Sequence, residues 1–245
     1  MGAKVFVLLA AMVAFGCGAS PSGPSGGTET LSVKIDRDGF QILADLAPDA
    51  LIRDIADRLI SERPRQMADL TVSEAGTIRV LVYQDQASWD QALFAYFGQR
   101  LSATGYITGP FELRLLATSQ VRVAATHELA HALSLRLNPG FANNPRWLWE
   151  AAALWENGEF VDPRTLSYMT GGQPPTLSSL NADVNASRQI YEVGYTLMEF
   201  VHARFGHERY LELIRRNGDT TSALGLTATQ FEQGWYAFVR ERYPF

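Results

Sequence analysis

The hydrophobic positions of this 245-residue chain follow two different patterns. Residues 31–118 mix strand-like runs with helical spacing, and TIRVLVYQD at residues 77–85 is the clearest strand. The runs LSVKI and FQILAD predict a hairpin, because Asp38 and Gly39 separate them as a turn. Residues 119–245 show helical spacing throughout. The pattern predicts an α+β fold with a small mixed sheet, followed by a mainly helical subdomain.

The predicted helices begin and end at residues that are typical of helix boundaries, with Pro at the starts and Gly after the ends. Before the helical half, GPFELRLL at residues 109–116 predicts a turn and then a strand near a sheet edge. The predicted helices cover residues 48–63, 87–97, 121–137, 146–157, 188–205 and 208–217, and a last helix starts at the capping box of Thr227 and Gln230.

The N-terminal residues are typical of an export signal. Lys4 precedes an apolar run that is too short to span a membrane, and the run ends in AFGC, which resembles a bacterial lipobox with Cys17 as the acylated residue. We expect a signal peptide at residues 1–17 and a Gly/Ser/Pro tether at residues 18–30. The protein is then an exported cell-envelope lipoprotein that meets the membrane through its lipid anchor, or else a secreted protein.

Composition sets limits on the core, on disulfide bonds and on the class of partner. The apolar share of 47% is enough for the core of one domain, here residues 31–245. Cys17 is the only cysteine, so no internal disulfide can stabilise the fold. A net charge of -5 gives no basic surface for a polyanion, which argues against nucleic acid as a partner. Composition leaves the oligomeric state open.

Two histidines and a glutamate interrupt the apolar pattern of the helix at residues 121–137. The stretch THELAHAL contains His127, Glu128 and His131. Histidines four residues apart lie on one helix face, so both can bind one metal ion, and Glu128 is offset so that it can reach a water on that metal without being a ligand. This is the geometry of HExxH zinc hydrolases. The alternative is a polar helix face exposed to solvent.

A catalytic zinc site of this kind requires a third protein ligand. Glu150 lies in the next predicted helix, which an antiparallel turn would bring back against the histidines. Glu156 lies nearly on the same face and is the rival, although the spacing from His131 favours Glu150. His202 and His207 flank a helix end far downstream and are expected to be capping or surface residues.

These motifs resemble the gluzincin metallopeptidases, and most closely their aminopeptidase-N-like branch, over roughly residues 105 to 206. HExxH is followed at the family's spacing by WLWEA, which is similar to the family's WLxEG with Ala151 in place of glycine. The resemblance implies a zincin-like fold with the active site in a cleft between its two halves. It also implies one Zn²⁺ per chain on His127, His131 and Glu150. Leu154 departs from thermolysin-like relatives, which place an aspartate there to support a ligand histidine.

The segment YEVG, which begins at Tyr191, is similar to the YEKG of the same branch. The resemblance implies that the Tyr191 hydroxyl donates a hydrogen bond to the oxyanion of the tetrahedral intermediate. Val193 stands in place of the lysine, and Tyr195, one turn further on, is the second candidate. In gluzincins a strand before the HExxH helix binds extended peptide, and we expect residues 109–116 to do so here.

The sequence therefore predicts a zinc metallopeptidase, a hydrolase that cleaves peptide bonds of a peptide or protein substrate in the cell envelope or outside the cell. Glu128 is expected to act as general base toward a zinc-bound water and then as general acid toward the leaving amine. The alternative is a catalytically silent envelope lipoprotein that uses the same fold as a binding module. The choice between endopeptidase and exopeptidase activity stays open.

Overall fold

A computed structural model describes residues 31–98, 102–182 and 188–245. The predicted signal peptide at 1–17, which includes the lipobox-like end, and the predicted tether at 18–30 lie outside these residues. Within the described residues no helix combines the length and the hydropathy that a bilayer span requires.

The strands form one five-stranded mixed sheet in the order β1-β2-β3-β5-β4. The central pairs β2–β3 and β3–β5 are parallel, whereas β1–β2 and β4–β5 are antiparallel. Across the sheet, one buried row aligns Ile42, Val80, Leu113 and Ile107. The strands are β1 Ser32–Arg37, β2 Phe40–Ala44, β3 Ile78–Tyr83, β4 Gly105–Gly109 and β5 Glu112–Leu116.

Helices make up most of the rest of the described chain, and the fold is mixed α and β, as predicted. The capping box at Thr227 and Gln230 is confirmed at the start of the last helix. The helices of eight or more residues are α1 Asp49–Asp69, α2 Gln86–Phe97, α3 Val121–Leu137, α4 Arg146–Asn157, α7 Gln189–Phe205, α8 His207–Arg215 and α10 Ala228–Arg242, and the shorter α5 Ser167–Thr170, α6 Leu177–Leu180 and α9 Thr220–Leu224 lie among them.

The sequence underestimated the length of α1. The predicted helix ended at residue 63, but α1 continues through Pro64 to Asp69. Proline in a helix interior costs about 3 kcal/mol because it lacks the amide donor and crowds the preceding turn. Gln66 and Leu70 beyond it are fully buried, and this tertiary burial outweighs the local cost.

The prediction for the strand after the Gly-Pro turn was wrong in one respect. Residues 109–116 were expected to offer a sheet edge to substrate, but β5 pairs on one side with β3 and on the other with β4. Among the described strands, β4 is the edge strand on this side of the sheet and β1 is the edge strand on the other, because the turn at Pro110 and Phe111 folds β4 back antiparallel to β5. The sheet edge next to the Gly-Pro turn therefore belongs to β4 and not to β5.

The chain divides into two compact units, Met1–Leu133 and Ser134–Phe245, and the boundary falls inside α3. The first unit contains all five described strands together with α1 and α2. In the second unit the largest fully buried side chains include Trp235, Phe231 and Tyr210.

Candidate metal centre

The helix α3 places three ionisable side chains in the protein interior. His127 is fully buried, and Glu128 and His131 are each 1% exposed. The two imidazole rings lie 4.8 Å apart between centroids, at 84° to each other, as expected for positions one turn apart on one face. This burial contradicts the alternative of a solvent-exposed polar face. A helix that buries such groups must compensate their loss of hydration, and a bound cation would do so.

The start of the histidine motif is anchored by α1. The buried amide of Gln66 donates from Nε2 to the carbonyl oxygen of Thr126 at 3.1 Å. Thr126 directs its own hydroxyl back into the helix, toward the carbonyl oxygens of Arg122 at 3.3 Å and Val123 at 3.2 Å. The residue before His127 is thus held by both backbone and side chain. The extension of α1 past Pro64 is what supplies Gln66 to this contact.

The carboxylate of Glu128 occupies the space that a side chain at Gly105 would fill. A Cβ built on Gly105 would lie 2.7 Å from Glu128 Oε1 and 2.9 Å from its Cγ. Real Cβ atoms almost never approach so closely, so the glycine at the start of β4 is what admits the carboxylate. The sequence alone gives no sign of this role for Gly105.

Glu150 joins the two histidines. One ligand atom from each of His127, His131 and Glu150 lies within 4.8 Å of the others, and all three residues are buried. The rival Glu156 is also buried, but its Oε1 accepts a hydrogen bond from the Tyr210 hydroxyl at 2.9 Å. The structure therefore brings together the three residues that the sequence favoured as candidate ligands.

The donor set fits a metal ion of the zinc class. Two imidazole nitrogens and one carboxylate oxygen are the protein ligands of many catalytic zinc sites, which keep a fourth position for water or substrate. The buried group of His127, His131 and Glu150 could thus hold a metal ion.

Tyr191, on α7, lies beside Glu150. Its hydroxyl is hydrogen-bonded to Glu150 and to Arg146, and the residue is 5% exposed. Burial, with the nearby charge of Glu150, raises the pKa of Tyr191 well above its ordinary value, although the charge of Arg146 opposes this rise. The hydroxyl is therefore neutral near neutral pH and can donate a hydrogen bond.

Tyr195 has different surroundings. Its ring packs against Trp155 at 5.0 Å and Phe160 at 5.4 Å, and the charge that acts on its hydroxyl is that of Glu199. Of the two candidate tyrosines, the structure thus places Tyr191 at the metal-ligand group.

The histidines further along the chain pack with aromatic residues. His202 stacks on Trp155 with ring centroids 4.4 Å apart, and His207 lies at the start of α8 with its ring 5.8 Å from that of Tyr210. Neither belongs to the metal-ligand group of the described residues.

Arg146 is a residue of this site that sequence reasoning missed. It begins α4 and is 3% exposed, and its guanidinium lies 5.5 Å from the centre of the Tyr191 ring. Its Nη1 donates to the carbonyl oxygens of Leu180 at 3.1 Å and Ala182 at 2.9 Å. The available signal was an arginine four residues, or about one helical turn, before Glu150, with only apolar residues between them.

Small residues let α4 and α7 approach closely. A Cβ on Gly194 would lie 2.6 Å from Leu154 Cδ1 and 3.1 Å from Ala151 Cα. Leu154 is therefore a packing residue against α7. The same close approach keeps Tyr191, one turn before Gly194, within reach of Glu150.

In comparisons with known proteins, no family model and no curated protein matches the chain. Any proposal of a function therefore rests on the geometry of the site.

Proposed function

We propose that this protein is a zinc-dependent hydrolase of gluzincin type that cleaves peptide bonds. The observation that carries the proposal is the buried group of His127, His131 and Glu150, with Glu128 on the same helix as the two histidines. A structural metal site would not require a carboxylate at Glu128, whereas hydrolysis requires a base beside the metal.

The three ligands would hold zinc, which when bound supplies a Lewis acid for the substrate carbonyl and acidifies a water molecule. Glu128 accepts the proton of the attacking water and returns it to the nitrogen of the leaving amine, so that the carboxylate is regenerated. Gly105 leaves the space in which this carboxylate is held, and β4, which Gly105 begins, pairs with another described strand on one side only. An extended peptide that paired with β4 would lie next to the base.

Tyr191 supplies a neutral hydroxyl close to Glu150. In the reaction this hydroxyl donates to the negative charge that develops on the carbonyl oxygen, a role in which burial strengthens the hydrogen bond. Under this proposal the protein acts in the cell envelope or outside the cell, with export directed by residues 1–17 and a lipid anchor at Cys17.

The test combines metal analysis with a peptide-cleavage assay on the purified protein. We expect one zinc per chain and cleavage of a quenched peptide library that a chelator abolishes. Glu150→Ala should lose both zinc and cleavage, whereas Glu128→Gln should retain zinc and lose cleavage. Glu208→Gln is the matched control, since Glu208 is an exposed glutamate of α8.

Two results would contradict the proposal in different ways. If the parent protein is folded and binds no zinc, the proposal as a whole is wrong. Zinc binding without cleavage, and without any difference between the parent and Glu128→Gln, would instead favour the silent binding module.

A further inference from the structure

The buried guanidinium of Arg146 lies on the same face of α4 as the metal-ligand candidate Glu150, because the two residues are four apart. Burying an arginine is costly unless its donors are hydrogen-bonded. The carbonyl oxygens of Leu180 and Ala182 accept two of these hydrogen bonds, and the amide side chain of Asn181 accepts one from the backbone of Trp147 at 3.0 Å. The segment 180–182 therefore docks on the start of α4 and fixes the guanidinium.

The fixed guanidinium in turn meets Tyr191. It lies 5.5 Å from the centre of the ring and is hydrogen-bonded to the hydroxyl, which is also hydrogen-bonded to Glu150. Chemistry sets the direction of both hydrogen bonds. Arginine can only donate and an ionised carboxylate can only accept, so Arg146 donates to the tyrosine oxygen and the tyrosine proton points to Glu150.

We propose that Arg146, through Tyr191, orients the carboxylate of Glu150 for the metal, which makes Arg146 a positioning residue of the metal centre. This inference rests on the proposed zinc site. Hydrogen-bonded partners of metal ligands commonly change metal affinity about 10- to 100-fold when they are removed. The Arg146–Tyr191–Glu150 chain would act before any substrate is present.

This role differs from stabilisation of an oxyanion in a measurable way. The Tyr191 hydroxyl has one proton, which serves one acceptor at a time. If its only role were to stabilise the oxyanion, Tyr191→Phe would lower kcat and leave metal affinity unchanged. If it orients Glu150 in the resting protein, the same substitution weakens metal binding in the absence of substrate.

The experiment measures the affinity of the metal-free protein for Zn²⁺ in competition with a chromophoric chelator. We expect a loss of about 10- to 100-fold for Tyr191→Phe and for Arg146→Met. The double variant should lose no more than the weaker-binding single variant, because the two residues act in series. Arg146→Lys, which keeps a cationic donor, should recover part of the affinity. The visible spectrum of the Co²⁺-loaded variants should change in parallel, since it reports ligand geometry.

Two matched controls separate this role from general effects on the fold. Tyr195→Phe makes the same chemical change one turn along α7, and Arg164→Met removes an arginine whose partner is the surface residue Asp162. Both should bind Zn²⁺ as the parent does. Tyr191→Phe removes a single oxygen, so it tests the inference even if Arg146→Met fails to fold.

The possible failures are distinguishable. If the parent binds zinc and both Tyr191→Phe and Arg146→Met bind it within about twofold of the parent, the positioning role is wrong while the zinc site stands. Additive losses in the double variant would also overturn the inference, because the residues would then act independently. A parent without zinc would overturn the proposed function itself.

Discussion

Gly105→Ala tests whether the carboxylate of Glu128 is held in place by its surroundings. The added Cβ would lie 2.7 Å from Oε1, whereas ordinary contacts begin at 3.4 Å, so the carboxylate must withdraw by about 0.7 Å, the difference between the two distances. Glu128 is 1% exposed and has little room to move. The backbone at Gly105 is not in the left-handed region, so alanine is disfavoured there by space alone.

The magnitude follows from the size of this displacement. Because a misplacement of about 1 Å can cost about 100-fold in rate, a shift of about 0.7 Å should lower kcat/KM about 10- to 50-fold, or about 1.4–2.3 kcal/mol of transition-state stabilisation. Zinc stoichiometry should stay at the parent value, because Glu128 is not a ligand. Overpacking should also lower the free energy of unfolding by about 1–3 kcal/mol.

The assay is cleavage of a quenched peptide, measured beside thermal unfolding and zinc content. Gly140→Ala is the matched control, because its Cβ would come no closer than 3.4 Å to its nearest neighbour, Asn138 Oδ1. Full activity and parental stability in Gly105→Ala would refute the reasoning, since the carboxylate would then move without cost. If no cleavage can be measured, the unfolding temperature of Gly105→Ala still tests the packing argument.

Three further perturbations test other parts of the structure. Tyr210→Phe removes the hydroxyl that donates to the buried carboxylate of Glu156, and we expect a loss of about 1–3 kcal/mol in denaturant unfolding; an unchanged midpoint would contradict the importance of that hydrogen bond. Gly194→Ala places a Cβ 2.6 Å from Leu154 Cδ1, so a lower melting temperature is expected despite the better helix propensity of alanine, and a higher one would show that the two helices can separate. Chelation should lower the melting temperature of the parent but not of Glu150→Ala, since zinc at 100 times its Kd stabilises the folded state by about 2.7 kcal/mol. Equal shifts of the melting temperature in both proteins would place the metal elsewhere.

Much of the fold could be predicted from local patterns. The residue ranges of α3 and α4 follow directly from apolar spacing and from proline and glycine at the helix ends, and α4 ends at Asn157, where Gly158 follows in the left-handed conformation. The continuation of α1 past Pro64 could not, because it depends on burial of Gln66 against α3. The order of the strands could not be predicted either, because the sequence pattern of residues 109–116 fits an edge strand and an interior strand equally well.

The site shows the same division. The two histidines could be predicted because helical spacing places them on one face of α3, and Glu150 because its spacing after His131 puts it in the next helix. The contributions of Arg146 and Gly105 could not, because each depends on contact with an element distant in sequence: Arg146 meets α7 and the segment 180–182, and Gly105 meets α3. Spacing therefore indicates the candidate ligands, and tertiary contacts decide which residues orient them.

The burial of the candidate ligands also has a kinetic consequence. His127, His131 and Glu150 are each exposed by 1% or less, so a chelator would approach a bound metal through its open coordination position and not through the ligand side chains. Complete removal of the metal would also require these buried side chains to separate from it, which makes release slower than binding of water or substrate at the open position. Loss of activity after addition of a chelator should therefore develop over time instead of at once.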